Sequence, residues 1–382
     1  MRRESNETTA PTVRDSLPKP RWLSPERPPP RSFVEVGDET TARAALSSAC
    51  SGEGLLYRGG YHGARQLLAA MGRRLISSRG PEKAKPSSEK RLGAIFRAER
   101  ERARMEHEVL SRLAVPLGEG YRVLLRGAPD VRAACAEALG QVALPGALPL
   151  RDLLGMLGAH EWRRRGVFVP ALGARVHPWY GVYAPVRGEY VDLVARAASA
   201  FPVLGKRAID VGTGTGVLAF VLARMGATVV ATDTEPRAVL CAKENAARLH
   251  LSGQVEVRQK DLFPEEPADL VVANPPWLPA EAHGPLERAV YDPGGAVLES
   301  LVLGLPGALR AGGEAWLVLS DLAERLGLRK RGYLEELVAK AGLAVAGALE
   351  TRASHPRARD RDDPLNVARA AEVVRLFRLV RG

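Results

Sequence analysis

The C-terminal half of this 382-residue chain predicts an α/β fold, a mostly parallel sheet covered by helices on both faces. Three observations carry that prediction. Apolar runs alternate with helical patterns from Lys206 onward, a glycine-rich turn follows the first run, and an Asn-Pro-Pro stop follows the fourth.

In chain order, Ala208–Val211, Thr228–Thr232, Val255–Gln259, Leu270–Ala273 and Ala315–Leu319 read as strands. Helical patterns at 215–225 and 236–249 separate the first three, and a closing pair falls near 343–350 and 372–380. Upstream, Val167–Val169 and Arg175–His177 flank the turn Ala171–Ala174 and predict a short hairpin leading into this domain.

The N-terminal half is organised differently. Residues 1–32 are rich in Pro, Arg, Ser, Glu and Thr, and predict a disordered tail. Residues 33–165 predict a mainly helical domain. Amphipathic spacing falls at 64–75, a charged helix at 91–113, and helical sequence at 129–165 that breaks near Leu144-Pro145-Gly146. The polar stretch Ser77–Lys90, with Gly80-Pro81 and Pro86, reads as a linker. The α/β domain then runs from 166 to 382.

Charge divides the same way. Residues 1–205 hold 32 lysines and arginines against 21 acids, whereas residues 206–382 hold 23 of each. The whole excess of +11 therefore lies in the N-terminal half, which suggests basic recognition of a polyanion. Cys50, Cys135 and Cys241 are far apart, and no two of the seven histidines have ligand spacing, so no metal site is expected. No apolar run reaches the roughly 18 residues of a membrane span, and the first residues lack a secretory core. A cytoplasmic protein without a membrane partner is the expectation.

Ala208-Ile209-Asp210-Val211-Gly212-Thr213-Gly214-Thr215-Gly216 is a strand, a glycine turn and a helix start. The glycines let the backbone approach a ligand closely, and the helix start presents free N–H groups. Such a turn also suits a dinucleotide pyrophosphate. The next strand ends in Asp233, an acid placed to accept both hydroxyls of a ribose. The glycines are spaced G-x-G-x-G, with an acid two residues ahead, where a dinucleotide site has G-x-G-x-x-G.

Leu270-Val271-Val272-Ala273-Asn274-Pro275-Pro276-Trp277 is a buried strand stopped by a rigid diproline. Asn274 thus stands at the C-terminal end of the fourth strand, where doubly wound sheets hold ligands. An amide or aromatic amino group is a poor nucleophile because its lone pair is delocalised. Accepting hydrogen bonds from both its hydrogens localises that pair. The Asn274 side-chain oxygen and the Pro275 carbonyl supply two acceptors, and Trp277 supplies a flat stacking surface.

These two motifs together resemble the class I S-adenosylmethionine-dependent methyltransferases, in the amino-methyltransferase branch with an Asn-Pro-Pro-aromatic motif. The resemblance covers roughly residues 175–320, and Trp277 stands where Tyr or Phe is more usual. It implies a Rossmann-like sheet of seven strands with the last antiparallel, and S-adenosylmethionine as cofactor. It further implies that Asp210 orders the loop near the methionine end, that the Gly212–Gly216 turn passes under the ligand, and that Asp233 holds the ribose. Asp261, followed by Leu262, would accept the adenine amino proton, and Tyr183 and Pro185 would line the site. Members of this branch modify adenine N6, guanine N2 or a release-factor glutamine. The charge split makes a nucleic-acid base, most plausibly in RNA, the first expectation. A protein glutamine nitrogen is the alternative, and a cofactor-binding protein without catalysis is the third reading.

Overall fold

The computed structural model describes residues 19–77, 89–141, 144–354 and 356–382. Two compact units make up the chain: Met1–Gly80 with Met105–Leu154, and Pro81–Arg104 with Gly155–Gly382.

The first unit contains a four-stranded sheet of β1 (Phe33–Val36), β2 (Gly54–Tyr57), β3 (Leu113–Leu117) and β4 (Gly146–Pro149), in that order. The first three strands are parallel and β4 is antiparallel to β3. Helices Ala42–Cys50 and Tyr61–Ser77 follow β1 and β2. The mainly helical expectation for 33–165 therefore missed a sheet. Its strands are four or five residues long, and β2 and β3 are buried throughout, so no period-two alternation marks them.

The expected tail also departs from expectation. Residues 1–18 lie outside the described residues, and the rest of it runs beside β4. Ala147 N–H donates to the Arg21 carbonyl at 2.8 Å, and Leu23 N–H donates to the Ala147 carbonyl at 3.0 Å. Ser24 Oγ donates to Asp152 at 2.6 Å, and the Trp22 ring lies 5.8 Å from Phe33. Composition reads bulk polarity. It does not register one tryptophan and two main-chain bonds that tie a polar segment down.

The second unit begins, in space, with residues expected elsewhere. Up to Arg104 the helix Glu89–Leu110 counts with this unit, where Leu92 and Phe96 pack with Leu278, Leu322, Leu326 and Leu365. Of the expected linker, residues 78–88 lie outside the described residues, and Glu89-Lys90 already belong to this helix. The hairpin is β5 (Val167–Val169) with β6 (Ala174–Val176).

Seven strands form the main sheet: β7 (Arg207–Val211), β8 (Thr228–Asp233), β9 (Val255–Gln259), β10 (Ala268–Ala273), β11 (Leu309–Ser320), β12 (Leu343–Arg352) and β13 (Val373–Arg381). Their spatial order is β12-β13-β11-β10-β7-β8-β9, and β13 is the reversed strand, antiparallel to both β11 and β12. Strands buried on both faces read as continuous apolar runs, which is why β7, β8 and β10 were legible. Helices Glu189–Ala200, Val217–Arg224 and Pro236–Arg248 cover one face, and Ala296–Ala308 with Tyr333–Lys340 cover the other.

This order positions the site. From β7 the chain goes outward to β8 and β9, then returns to β10 on the other side of β7. Two loops therefore diverge above neighbouring strands, leaving a crevice at their C-terminal ends. The register pairs Asp210 with Val272 and Val211 with Ala273, so the glycine turn and Asn274 leave the sheet side by side. Among the described residues no helix is long and apolar enough to cross a membrane.

Candidate active site

A cavity of about 620 Å³ opens at this switch point. Gly212, Thr213, Gly214 and Thr215 line it from β7, Asp233 from β8, Asp261 and Leu262 from beyond β9, and Asn274 to Trp277 from β10. Tyr183 lines it as well. Pro185 is buried outside the wall, and Gly216 caps the following helix instead of facing the cavity. Gly216 has φ +91°, and a Cβ there would stand 2.2 Å from the Phe220 ring, so only glycine fits this turn.

Asp210 is a loop clamp. Almost fully buried, it accepts the Thr213 hydroxyl at 2.6 Å and the Ala219 N–H at 3.1 Å. Burial pushes its carboxyl up to about 6, against the pull of these hydrogen bonds. Asp233 ties the two loops together: Oδ2 accepts the Gly214 N–H at 2.9 Å and Oδ1 the Glu235 N–H at 3.0 Å. Burial raises its pKa too, opposed by those N–H groups. Each carboxylate oxygen retains a lone pair for a further donor. Leu262 is held at φ +52°, a conformation costly for a side-chain-bearing residue, and its carbonyl accepts the Thr232 hydroxyl at 2.6 Å.

The Asn-Pro-Pro-Trp segment is tied by one internal bond and two outside ones. The Trp277 indole N–H donates to Asn274 Oδ1 at 2.9 Å and to the Val318 carbonyl at 3.2 Å. Arg329 donates to the Trp277 carbonyl at 3.2 Å. Beyond it, the loop that carries Glu281 and Tyr291 completes the wall. Arg100 holds that loop through both oxygens of Glu287, at 3.0 and 2.8 Å, and the Glu281 carbonyl at 2.7 Å.

Sequence reading missed two wall residues, Arg187 and Glu372, and the buried Asn245 that holds the turn from outside the wall. Arg187 has its guanidinium 5.2 Å from the Trp277 ring centre and 3.3 Å from Glu372, a fully buried acid that also accepts the Ser320 hydroxyl at 2.7 Å. Asn245, buried in helix Pro236–Arg248, donates to the Thr215 carbonyl at 3.2 Å and accepts the His177 N–H at 2.8 Å. Both acids and amides of this kind look like ordinary solvated residues until the fold brings distant segments together.

A family model described as ribosomal protein L11 methyltransferase matches residues 197–275, a stretch that contains Asp210, Asp233, Asp261, Asn274 and Pro275. A release factor glutamine methyltransferase from Cereibacter sphaeroides is 34% identical over 152 residues, which is 34% of this chain and 55% of that protein. A ribosomal protein L11 methyltransferase from Vibrio cholerae is 39% identical over 101 residues, 26% of this chain and 34% of that protein. The match therefore spans about half, or less, of these relatives. A ribosomal protein L11 methylase structure from Lactobacillus delbrueckii is similar at 22% identity and a TM-score of 0.34, covering 50% of this chain and 78% of that one.

Over residues 197–275 the second unit is thus similar to methyltransferases. The residues present suit the S-adenosylmethionine that the resemblance implies. A Cβ on Gly212 or Gly214 would meet nothing within 4 Å, so the glycine turn leaves room for a ligand against its backbone. Acids outnumber bases on the described wall of the cavity, six to three, which favours a cationic guest.

Proposed function

We propose that this chain is an S-adenosylmethionine-dependent N-methyltransferase whose acceptor is a protein side-chain amide of the glutamine class. One observation carries the proposal: Asn274 and Pro275 share one cavity wall with Asp210 and Asp233, at the switch point of the sheet. The relatives are named for protein acceptors, a release factor and a ribosomal protein. The nucleic-acid expectation rested on charge placement alone, so the protein reading takes precedence. The intact acceptor pair argues against a binding protein without catalysis.

Asp233 would hold the ribose, the Gly212–Gly214 backbone would pass under the ligand, and Asp261 would face the adenine. Asp210 would keep the turn in shape. The cofactor supplies an electrophilic methyl group on a sulfonium. Asn274 Oδ1, with one lone pair on the Trp277 indole, keeps a second for one amide hydrogen, and the Pro275 carbonyl takes the other. The nitrogen lone pair would then be free to attack the methyl carbon, the sulfur–carbon bond breaking to leave a neutral thioether and one amide proton passing to solvent. Such orientation, more than acid or base chemistry, accounts for the rate.

The test is transfer of labelled methyl from the cofactor into protein and RNA fractions of a strain lacking this protein. Label in protein that yields methylglutamine on digestion is expected. Label confined to RNA overturns the proposal.

A further inference from the structure

We infer that Trp277 is a positioning residue that locks the Asn274 carboxamide in one orientation through its indole N–H. This goes beyond the stacking role expected from sequence, and its catalytic half rests on the proposed function. An indole N–H only donates, so of the two polar atoms of a carboxamide it can pair with the oxygen alone. At 2.9 Å from the Asn274 side chain, it therefore dictates that Oδ1 and not Nδ2 faces Trp277. Turning the carboxamide over would set two donors against each other in a half-buried site, which costs this hydrogen bond and leaves the indole N–H with the Val318 carbonyl alone.

The indole itself has little freedom. Its N–H is shared with the Val318 carbonyl of β11 at 3.2 Å, and its ring packs against the hydrophobic cores on both faces of the sheet. Arg329 holds the Trp277 main chain at 3.2 Å, and the Arg187 guanidinium lies 5.2 Å from the ring centre. The ring is thus fixed by the fold before any substrate arrives. Its orientation passes directly to Asn274, the residue given the acceptor role. A phenylalanine would keep an aromatic ring there, smaller than the indole, and lose the lock.

Two measurements on the full chain test this. With tryptophan labelled in 15N, the five indole N–H signals are recorded, and the one absent in Trp277→Phe is assigned to Trp277. That signal should exchange with solvent far more slowly than the signal of exposed Trp162, and in Asn274→Ala it should move upfield and exchange faster. A Trp277 signal that exchanges as fast as that of Trp162, or that does not move in Asn274→Ala, overturns the lock. In the second measurement, Trp277→Phe should lower kcat for methyl transfer to protein about tenfold, the loss of one orienting hydrogen bond. The cofactor Kd should stay within twofold. If the ring's bulk were all that counted, Trp277→Phe would keep the wild-type kcat and only Trp277→Leu would lose it, and that pattern also overturns the inference. Should the wild-type chain methylate no protein, the proposed function fails and the indole signals still decide the lock.

Discussion

Gly214 donates its backbone N–H to Asp233 Oδ2 at 2.9 Å, joining the turn after β7 to the acid that ends β8. One carboxylate thereby shapes the glycine turn while keeping lone pairs for a ligand. Asp233→Ala should weaken S-adenosylmethionine binding by roughly 1.5–3 kcal/mol, the scale of hydrogen bonds to a charged group. Calorimetry on the folded variant measures this, and an unchanged Kd would remove Asp233 from the site.

How much of this site the sequence revealed follows from the range of each signal. The glycine turn, Asp233 and Asn274-Pro275-Pro276 are local patterns at strand ends, and each lies where the strand pattern puts it. Arg187 and Glu372 are 185 residues apart and meet only because β13 inserts between β11 and β12. Nothing in the neighbourhood of either marks it. Pro185 fails for the opposite reason: its segment approaches the cavity, but its own ring is buried behind the wall. The first unit's sheet was hidden by the brevity of strands such as Gly54–Tyr57.

Asp210 should give a pH-dependent stability. Its carboxyl lies at about 6 when folded against an ordinary 3.8, because burial disfavours the charge. Between those values the folded chain binds more protons here than the unfolded chain, so this group's contribution grows as pH falls from 6 towards 4 and is lost as pH rises through 6. Asp210→Asn cannot titrate. The stability of Asp210→Asn minus that of wild type should therefore be most favourable to the variant at pH 7 and least at pH 4. Urea unfolding at four pH values measures this difference, and a flat difference contradicts the buried, raised carboxyl.

Arg100 should act on the protein substrate and not on the cofactor. It grips Glu287 through two bonds and stacks 3.9 Å from the Tyr291 ring centre, and so fixes the loop beyond Trp277. Arg100→Ala leaves Glu287 without that partner and should cost about 1–3 kcal/mol of stability. Steady-state kinetics should show KM for the protein substrate rising severalfold while the cofactor Kd holds. A rise in cofactor Kd with unchanged substrate KM would place the loop's effect elsewhere.

The central claim is that Asn274 directs methyl transfer to an amide nitrogen. Its most direct test is mass spectrometry of protein substrate incubated with S-adenosylmethionine and either the wild-type chain or Asn274→Ala, with cofactor affinity measured in parallel. Wild type should convert a glutamine to methylglutamine. Asn274→Ala should bind the cofactor within about twofold of wild type, yet lose turnover by at least about a hundredfold, as removal of an oriented acceptor at a reacting atom does. Methylglutamine formed at the wild-type rate by Asn274→Ala would contradict the account and leave Asn-Pro-Pro-Trp as no more than the end of a strand.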